Sequence, residues 1–106
     1  MFRFIFKRKY RFYLTLCAIA KNEGRYLKEW IEYHKMLGVE KFFIYDNDSL
    51  DNTREILQPY IDSNLVEYRY FPGKKMQLKA YANCVKKHKR HTRYMGFLDI
   101  DEFIVP

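Results

Sequence analysis

A chain of 106 residues fits one small domain, and 48% apolar with 19% aromatic residues excludes a disordered polymer. The formal charge of +7 favours anionic partners, among them nucleotide phosphates, nucleic acid and lipid surfaces, without choosing between them. Two cysteines, Cys17 and Cys84, lack the density and spacing of a disulfide framework, so a reducing, cytoplasmic setting is expected. No apolar run approaches the roughly 18–20 residues that span a bilayer.

Residues 1–13 form a basic and aromatic segment without the uninterrupted apolar stretch of a signal peptide. Its two readings are a first strand or solvated tail, and a peripheral contact with an anionic membrane. In the second, Arg3, Lys7, Arg8, Lys9 and Arg11 meet headgroups while Phe2, Ile5 and Phe6 insert. From Leu14 onward strands alternate with helices, giving one unit over 14–106. LTLCAIA (14–20) reads as a buried strand ending at Lys21-Asn22-Glu23-Gly24. Leu27, Trp30, Ile31, His34 and Leu37 recur at helical spacing, and Gly38 is placed to stop that helix. The stripe makes His34 a satisfied core residue. KFFIYDNDS (41–49) is the second strand and its turn. Asp51 can cap the next helix, in which Ile56, Leu57, Tyr60 and Ile61 share a face and Pro59 weakens the last turn.

LVEYRYF (65–71) is the third strand, closed by Pro72-Gly73. A third helix over 75–91 carries Leu78, Tyr81, Ala82 and Val85 as its apolar stripe. YMGFLDIDEFIVP (94–106) supplies the last strand. The β-α-β-α-β-α-β order predicts an α/β fold with a mostly parallel sheet between helical layers. Ligands of such sheets bind beyond the carboxyl ends of the strands, which here read KNEG, DNDSLD, PG and DIDE. Three of these four are rich in Asp, Asn or Glu.

Asp99-Ile100-Asp101, taken as strand, points both carboxylates to one face about 7 Å apart. Like charges so placed call for a cation, and a hard divalent ion shared with a diphosphate is the natural one; strand-end acids in solvent are the plainer reading. The loop from Asp46 to Asp51 fails as a calcium loop, because Asp51 stands where glycine is needed and Leu57 where glutamate is needed. Asp46 to Asp48 are left free to meet a ligand. Cys84, His88 and His91 have metal-ligand spacing on a helix but lack a fourth ligand, and neighbouring lysines repel a cation. Walker A, GxGxxG and GxSxG patterns are absent.

CAIAKNEGRYLKEWIEYHKMLGVEKFFIYDNDSLDNTREIL, AYANCVKKH and FLDIDEFIVP together resemble glycosyltransferase family 92 and the related family 2-like transferases, from about Leu14 to Pro106. The resemblance implies a truncated GT-A fold, a Rossmann-like three-layer sandwich, with only its donor-binding half present. It implies a nucleotide-diphosphate sugar as donor and a saccharide or glycan as acceptor, joined with inversion. Asn22 and Glu23 would approach the nucleoside, Asp46 or Asp48 the base or ribose, and Asn83 the donor. Asp99 and Asp101 would hold Mn²⁺ or Mg²⁺ against the diphosphate, with Lys74, Lys75 or Lys79 assisting. The acceptor half and its general base are not in this sequence, so the chain alone is expected to bind donor without completing transfer. The alternative is a non-catalytic basic module for nucleic acid or anionic surfaces. The bases are dispersed over the helices and the strand ends are acidic, so nucleic acid is not expected. A sugar nucleotidyltransferase would need a Gly-rich basic loop that KNEG does not supply.

Overall fold

The computed structural model describes residues 9–106; Phe2, Arg3, Ile5, Phe6, Lys7 and Arg8 of the lipid-contact reading lie outside the described residues. The elements are β1 (Phe12–Ala20), α1 (Gly24–Met36), β2 (Lys41–Asp46), α2 (Thr53–Asp62), β3 (Val66–Tyr70), α3 (Gln77–His88) and β4 (Thr92–Phe97). Every strand pair is parallel, and the order across the sheet is β3-β2-β1-β4. The expected β-α-β-α-β-α-β succession and Rossmann-like α/β class therefore hold. β1 begins at Phe12, so Phe12 and Tyr13 belong to the sheet; Phe12 N–H bonds to His91 O at 2.8 Å.

The chain order explains the layers. From β1 to β2 to β3 the chain steps one way across the sheet, and right-handed crossovers put α1 and α2 on one face. From β3 to β4 it steps back past β2 and β1, so the same hand puts α3 on the other face. Leu16, Ala18, Phe42, Ile44 and Val66 accordingly pack with Leu27, Trp30, Ile31 and Leu57. Cys17, Phe43 and Tyr45 pack with Ala80 and Cys84. At Gly96, a Cβ would sit 2.9 Å from Leu16 Cδ2, so any side chain there would have to displace the buried Leu16 side chain.

Two expectations are corrected. Of the expected α3 stripe only Tyr81 packs, half-buried, on the sheet: Leu78 is 79% and Val85 40% exposed, Ala82 is exposed, and the fully buried positions are Ala80 and Cys84. The helix lies against large aromatics, Phe43 and Tyr45, and the small side chains face them. The second correction concerns the last strand, which ends at Phe97. Leu98 N–H still reaches Cys17 O at 3.3 Å, and the chain then turns, with Glu102 N–H bonded to Asp99 O at 3.0 Å. Asp99-Ile100-Asp101 is thus a turn and not an alternating strand. Ile100, 1% exposed, joins the core cluster that contains Ala20, Leu27 and Trp30, and this leaves the two flanking carboxylates in solvent.

Residues 102–104 are strapped to α1. Trp30 Nε1 donates to Glu102 O (2.9 Å), Tyr33 OH donates to Ile104 O (2.6 Å), and Ile104 N–H donates to His34 Nε2 (3.1 Å). His34 Nδ1 then carries the ring proton and donates to Trp30 O at 2.8 Å. Both ring nitrogens are satisfied, as the apolar stripe implied. Gly38, at φ 109°, stops α1 and directs Val39 N–H to His34 O at 3.0 Å. The starts of α1 and α2 also meet: Asp51 accepts from Gly24 N (3.0 Å) through Oδ2 and from Thr53 N (2.9 Å) through Oδ1. A Cβ on Gly24 would lie 2.3 Å from Asn52 Oδ1 and 3.2 Å from Thr53 N.

Burial holds the His34 pKa below its ordinary 6.5. The unfolded chain therefore takes up this proton first, and the His34 contribution to stability, complete above 6.5, is lost as pH falls below it. His34→Leu should remove that pH dependence and lower stability by about 1–3 kcal/mol, by leaving Ile104 N–H unpaired; thermal melts of both proteins across this range check it. Gly24→Ala should destabilise by about 1–3 kcal/mol by forcing the two helix starts apart, measurable by urea unfolding.

Candidate functional site

The strand order reverses at β1. β2 lies on one side of it, β4 on the other, and their carboxyl ends diverge into the loops after Ala20 and Phe97. Such a reversal opens a crevice at the strand ends, the usual ligand position in open α/β sheets. Glu23 comes from the loop after β1, and Asp99 and Asp101 from the loop after β4.

Several polar side chains at this edge build the loops themselves. Asn22 has φ 54°, donates its N–H to Ser49 Oγ (2.9 Å), and accepts Leu50 N–H through Oδ1 at 2.7 Å. The β1 and β2 loops are thereby joined. Asn47 Nδ2 donates to Phe71 O and Gly73 O, both at 2.9 Å, and joins the β2 and β3 loops. Asp46 is 3% exposed and fully engaged, with Ser49 N–H on Oδ1 (3.0 Å) and Tyr68 OH on Oδ2 (2.6 Å). It is not free to meet a ligand, contrary to the sequence reading. Burial, and then the bond to Asp46, pushes the Tyr68 phenol above its ordinary pKa. Asp48 is exposed at φ 58° and accepts Tyr70 OH at 2.8 Å. Asn83 is half-buried on α3, away from the loop tips, and its Oδ1 accepts Tyr45 OH at 2.7 Å.

The structure brings Glu23, Asp99 and Asp101 into one electrostatic field. Burial raises the Glu23 carboxyl above its ordinary 4.5, Asp101 and then Asp99 raise it further, and Arg25 opposes them. Among the described residues no ion pair reaches Asp99 or Asp101. Asp99 N–H is bonded by Glu102 Oε1 at 2.9 Å, so Glu102 braces the turn. Gln77 Nε2, at the start of α3, lies 3.0 Å from Tyr81 OH and 3.4 Å from Asp99 Oδ1. No motif marks Gln77 or Tyr81 as site residues; position 77 at a helix start, facing the DIDE loop across the switch, is the signal for them. Lys74, Lys75 and Lys79 are exposed.

These carboxylates offer the hard oxygen donors that Mg²⁺ and Mn²⁺ prefer. Among the described residues no three His, Cys, Asp or Glu side chains converge closely enough to enclose an ion unaided. The set suits an ion that takes its remaining ligands from water or a bound phosphate. Cys84, His88 and His91 do not form a cluster at this edge. Cys84 is buried with its Sγ 3.7 Å from Met95 Sδ, and the His88 ring stacks on Phe43 at 3.9 Å. Cys17 and Cys84 are both free thiols, and the adjacent Cys84 thiol together with burial pushes Cys17 upward.

The glycosyltransferase family 92 profile matches residues 12–106. A glycosyltransferase family 92 protein of Ricinus communis is 36% identical over 91 residues, covering 85% of this chain and 16% of that protein. One from Oryza sativa subsp. japonica is 38% identical over 92 residues, covering 86% and 16% respectively. The beta-1,4-galactosyltransferase galt-1 of Caenorhabditis elegans is 29% identical over 115 aligned positions, covering 92% of this chain and 26% of that one. The chain spans about one sixth of the length of the two plant relatives. A match that runs from the first residue of β1 through both loops of the switch point, to the last residue of the sequence, places this chain in glycosyltransferase family 92.

Proposed function

We propose that this chain is the donor-binding part of a GT-A-type, inverting glycosyltransferase, which takes a nucleotide-diphosphate sugar at the β1/β4 edge. What carries the reading is the placement of Glu23, from the loop after β1, with Asp99 and Asp101, from the loop after β4, at the switch point, where no ion pair reaches the two aspartates among the described residues. The galactosyl transfer named for the C. elegans relative makes a galactose donor the first one to test.

Asp99 and Asp101 are the residues that would hold Mn²⁺ or Mg²⁺, with Glu23 beside them. When bound, the ion supplies Lewis-acid neutralisation of the charge that a departing nucleoside diphosphate accumulates. The chain's own residues do the positioning. Ile100, anchored in the core, fixes the two aspartates on either side of it, and Glu102 holds the turn through Asp99 N–H. Asn22, Asn47 and Asp51 keep the neighbouring loops rigid, so little ordering remains to be done when donor arrives. Asp48, exposed at the end of β2, is the carboxylate best placed to accept hydrogen bonds from a ribose.

Calorimetric titration of UDP-galactose in the presence of Mn²⁺ should show saturable heat that chelation removes. The Asp99→Ala, Asp101→Ala double variant should lose this metal-dependent binding at least about tenfold, the equivalent of ~1.4 kcal/mol. Unchanged binding by the double variant removes the site assignment. Without metal, Glu23→Gln should raise the melting temperature at neutral pH, because it removes a carboxylate that Asp101 and Asp99 oppose. The wild-type Glu23 contribution changes in the same sense. The folded state binds this proton at a pH above the unfolded chain's 4.5, so its penalty fades as pH falls through the raised value. Added Mn²⁺ should narrow the difference between the two proteins.

A further inference from the structure

The amino ends of the strands, at the edge of the sheet opposite Glu23, Asp99 and Asp101, enclose a second polar space. A cavity of about 230 Å³ opens there, walled by Arg11, Lys41, Glu67, Lys87, His88 and His91. Arg11 precedes β1, Lys41 opens β2, Glu67 lies at the start of β3, and Lys87 and His88 end α3. Four elements therefore converge on one basic volume, several times the roughly 30 Å³ share of a water molecule.

Lys41 is the unusual member. It is only 6% exposed, and its ammonium donates to Asn64 O at 2.7 Å and Asn64 Oδ1 at 3.0 Å. Both acceptors are neutral, and an ammonium has three donors, so one remains for the cavity. A buried cation held only by neutral dipoles is costly unless a counter-charge completes it. Among the described residues the one wall carboxylate forms no ion pair with Lys41 and acts on it only through its field: Glu67 Oε2 lies 2.9 Å from His88 Nε2, in a geometry that leaves this buried nitrogen without an aligned hydrogen bond. The His88 ring is fixed flat on Phe43, at 3.9 Å and 12°. Burial lowers the Lys41 pKa, Glu67 opposes that shift, and Arg11 adds to it, so the positive charges already act on each other. Among the described residues of the wall, Arg11, Lys41 and Lys87 face a single Glu67, an excess of two positive charges.

We propose that this cavity binds a phosphate-class dianion, held by Lys41 Nζ and the Arg11 guanidinium with Lys87 at the rim. Its charge matches the excess, and its oxygens take the unspent Lys41 donor and a bidentate guanidinium. The phosphate arrives either on a soluble phosphomonoester or as the headgroup of an anionic lipid. The site is separate from the donor edge and does not depend on the function proposed there.

The test is an amide NMR titration of the full chain with inorganic phosphate, against chloride at matched ionic strength. Saturable shifts at Lys41, Asn64 and His88 are expected with phosphate only. Arg11→Gln with Lys87→Gln, both exposed positions, should weaken binding about tenfold or more. Asp99→Asn with Asp101→Asn should leave it unchanged. Sedimentation with phosphatidate and with phosphatidylcholine vesicles separates the sources. Phosphatidate-specific capture lost in the Arg11/Lys87 variant assigns a lipid headgroup, and phosphate binding without capture assigns a soluble ligand. Shifts that do not saturate, or that persist unchanged in the Arg11/Lys87 variant, overturn the proposal.

Discussion

Strand β1 is hydrogen-bonded along both edges, to β2 and to β4, and covered on both faces by helices. Its sequence has to be apolar on both sides at once, and from Leu16 to Ala18 no residue is exposed at all. Each later element takes its position from this strand. α1 and α2 cover one face because the chain first moves towards β3, and α3 covers the other because it must return past β1 to reach β4. The crevice at the carboxyl end of β1 is a by-product of that return. Glu23 and the Asp99–Asp101 turn face one another there only because their strands are neighbours in space, although more than seventy residues apart in sequence.

Polar residues at this edge divide by what they are bonded to. Asn22, Asp46, Asn47 and Asp51 spend their side chains on backbone N–H or C=O groups of neighbouring loops, and they turn flexible connections into a fixed rim. Asp99 and Asp101 are exposed, and their charge bears on Glu23. The strap from Trp30, Tyr33 and His34 to residues 102–104 supports that turn from behind. A hydrogen-bonded rim around carboxylates that form no ion pair among the described residues suits a cationic ligand bound with little rearrangement.

Much of this was legible in the residues. Helical spacing identified the buried face of α1, including His34, because that helix packs on a flat apolar surface and its stripe is wide. The same reasoning failed for α3. Leu78 and Val85 look like core by hydropathy, but Phe43 and Tyr45 fill the space beneath the helix, where Ala80 and Cys84 are the fully buried α3 positions and Tyr81 packs half-buried beside them. Alternation in FLDIDEF suggested a strand, yet Ile100 is buried by a turn into the α1 layer, a choice made by Trp30 and Leu27 far away in the sequence. Strand order was beyond local pattern altogether, since it rests on which edges pair. The switch point that unites Glu23 with Asp99 and Asp101 had to come from the fold. Asp46 and Asp48 read alike in sequence, and only the closeness of Tyr68 and Ser49 distinguishes the enclosed one from the exposed one.

The central claim is that the β1/β4 switch point is a metal and diphosphate site. Paramagnetic broadening of backbone amide signals by substoichiometric Mn²⁺, with UDP present, locates the ion directly. The account predicts broadening centred on residues 22–24 and 98–102, with Gln77 next, while signals at Arg11, Lys41 and His88 at the other edge stay sharp. Broadening centred on Cys84, His88 and His91, or spread evenly over the surface, would contradict it.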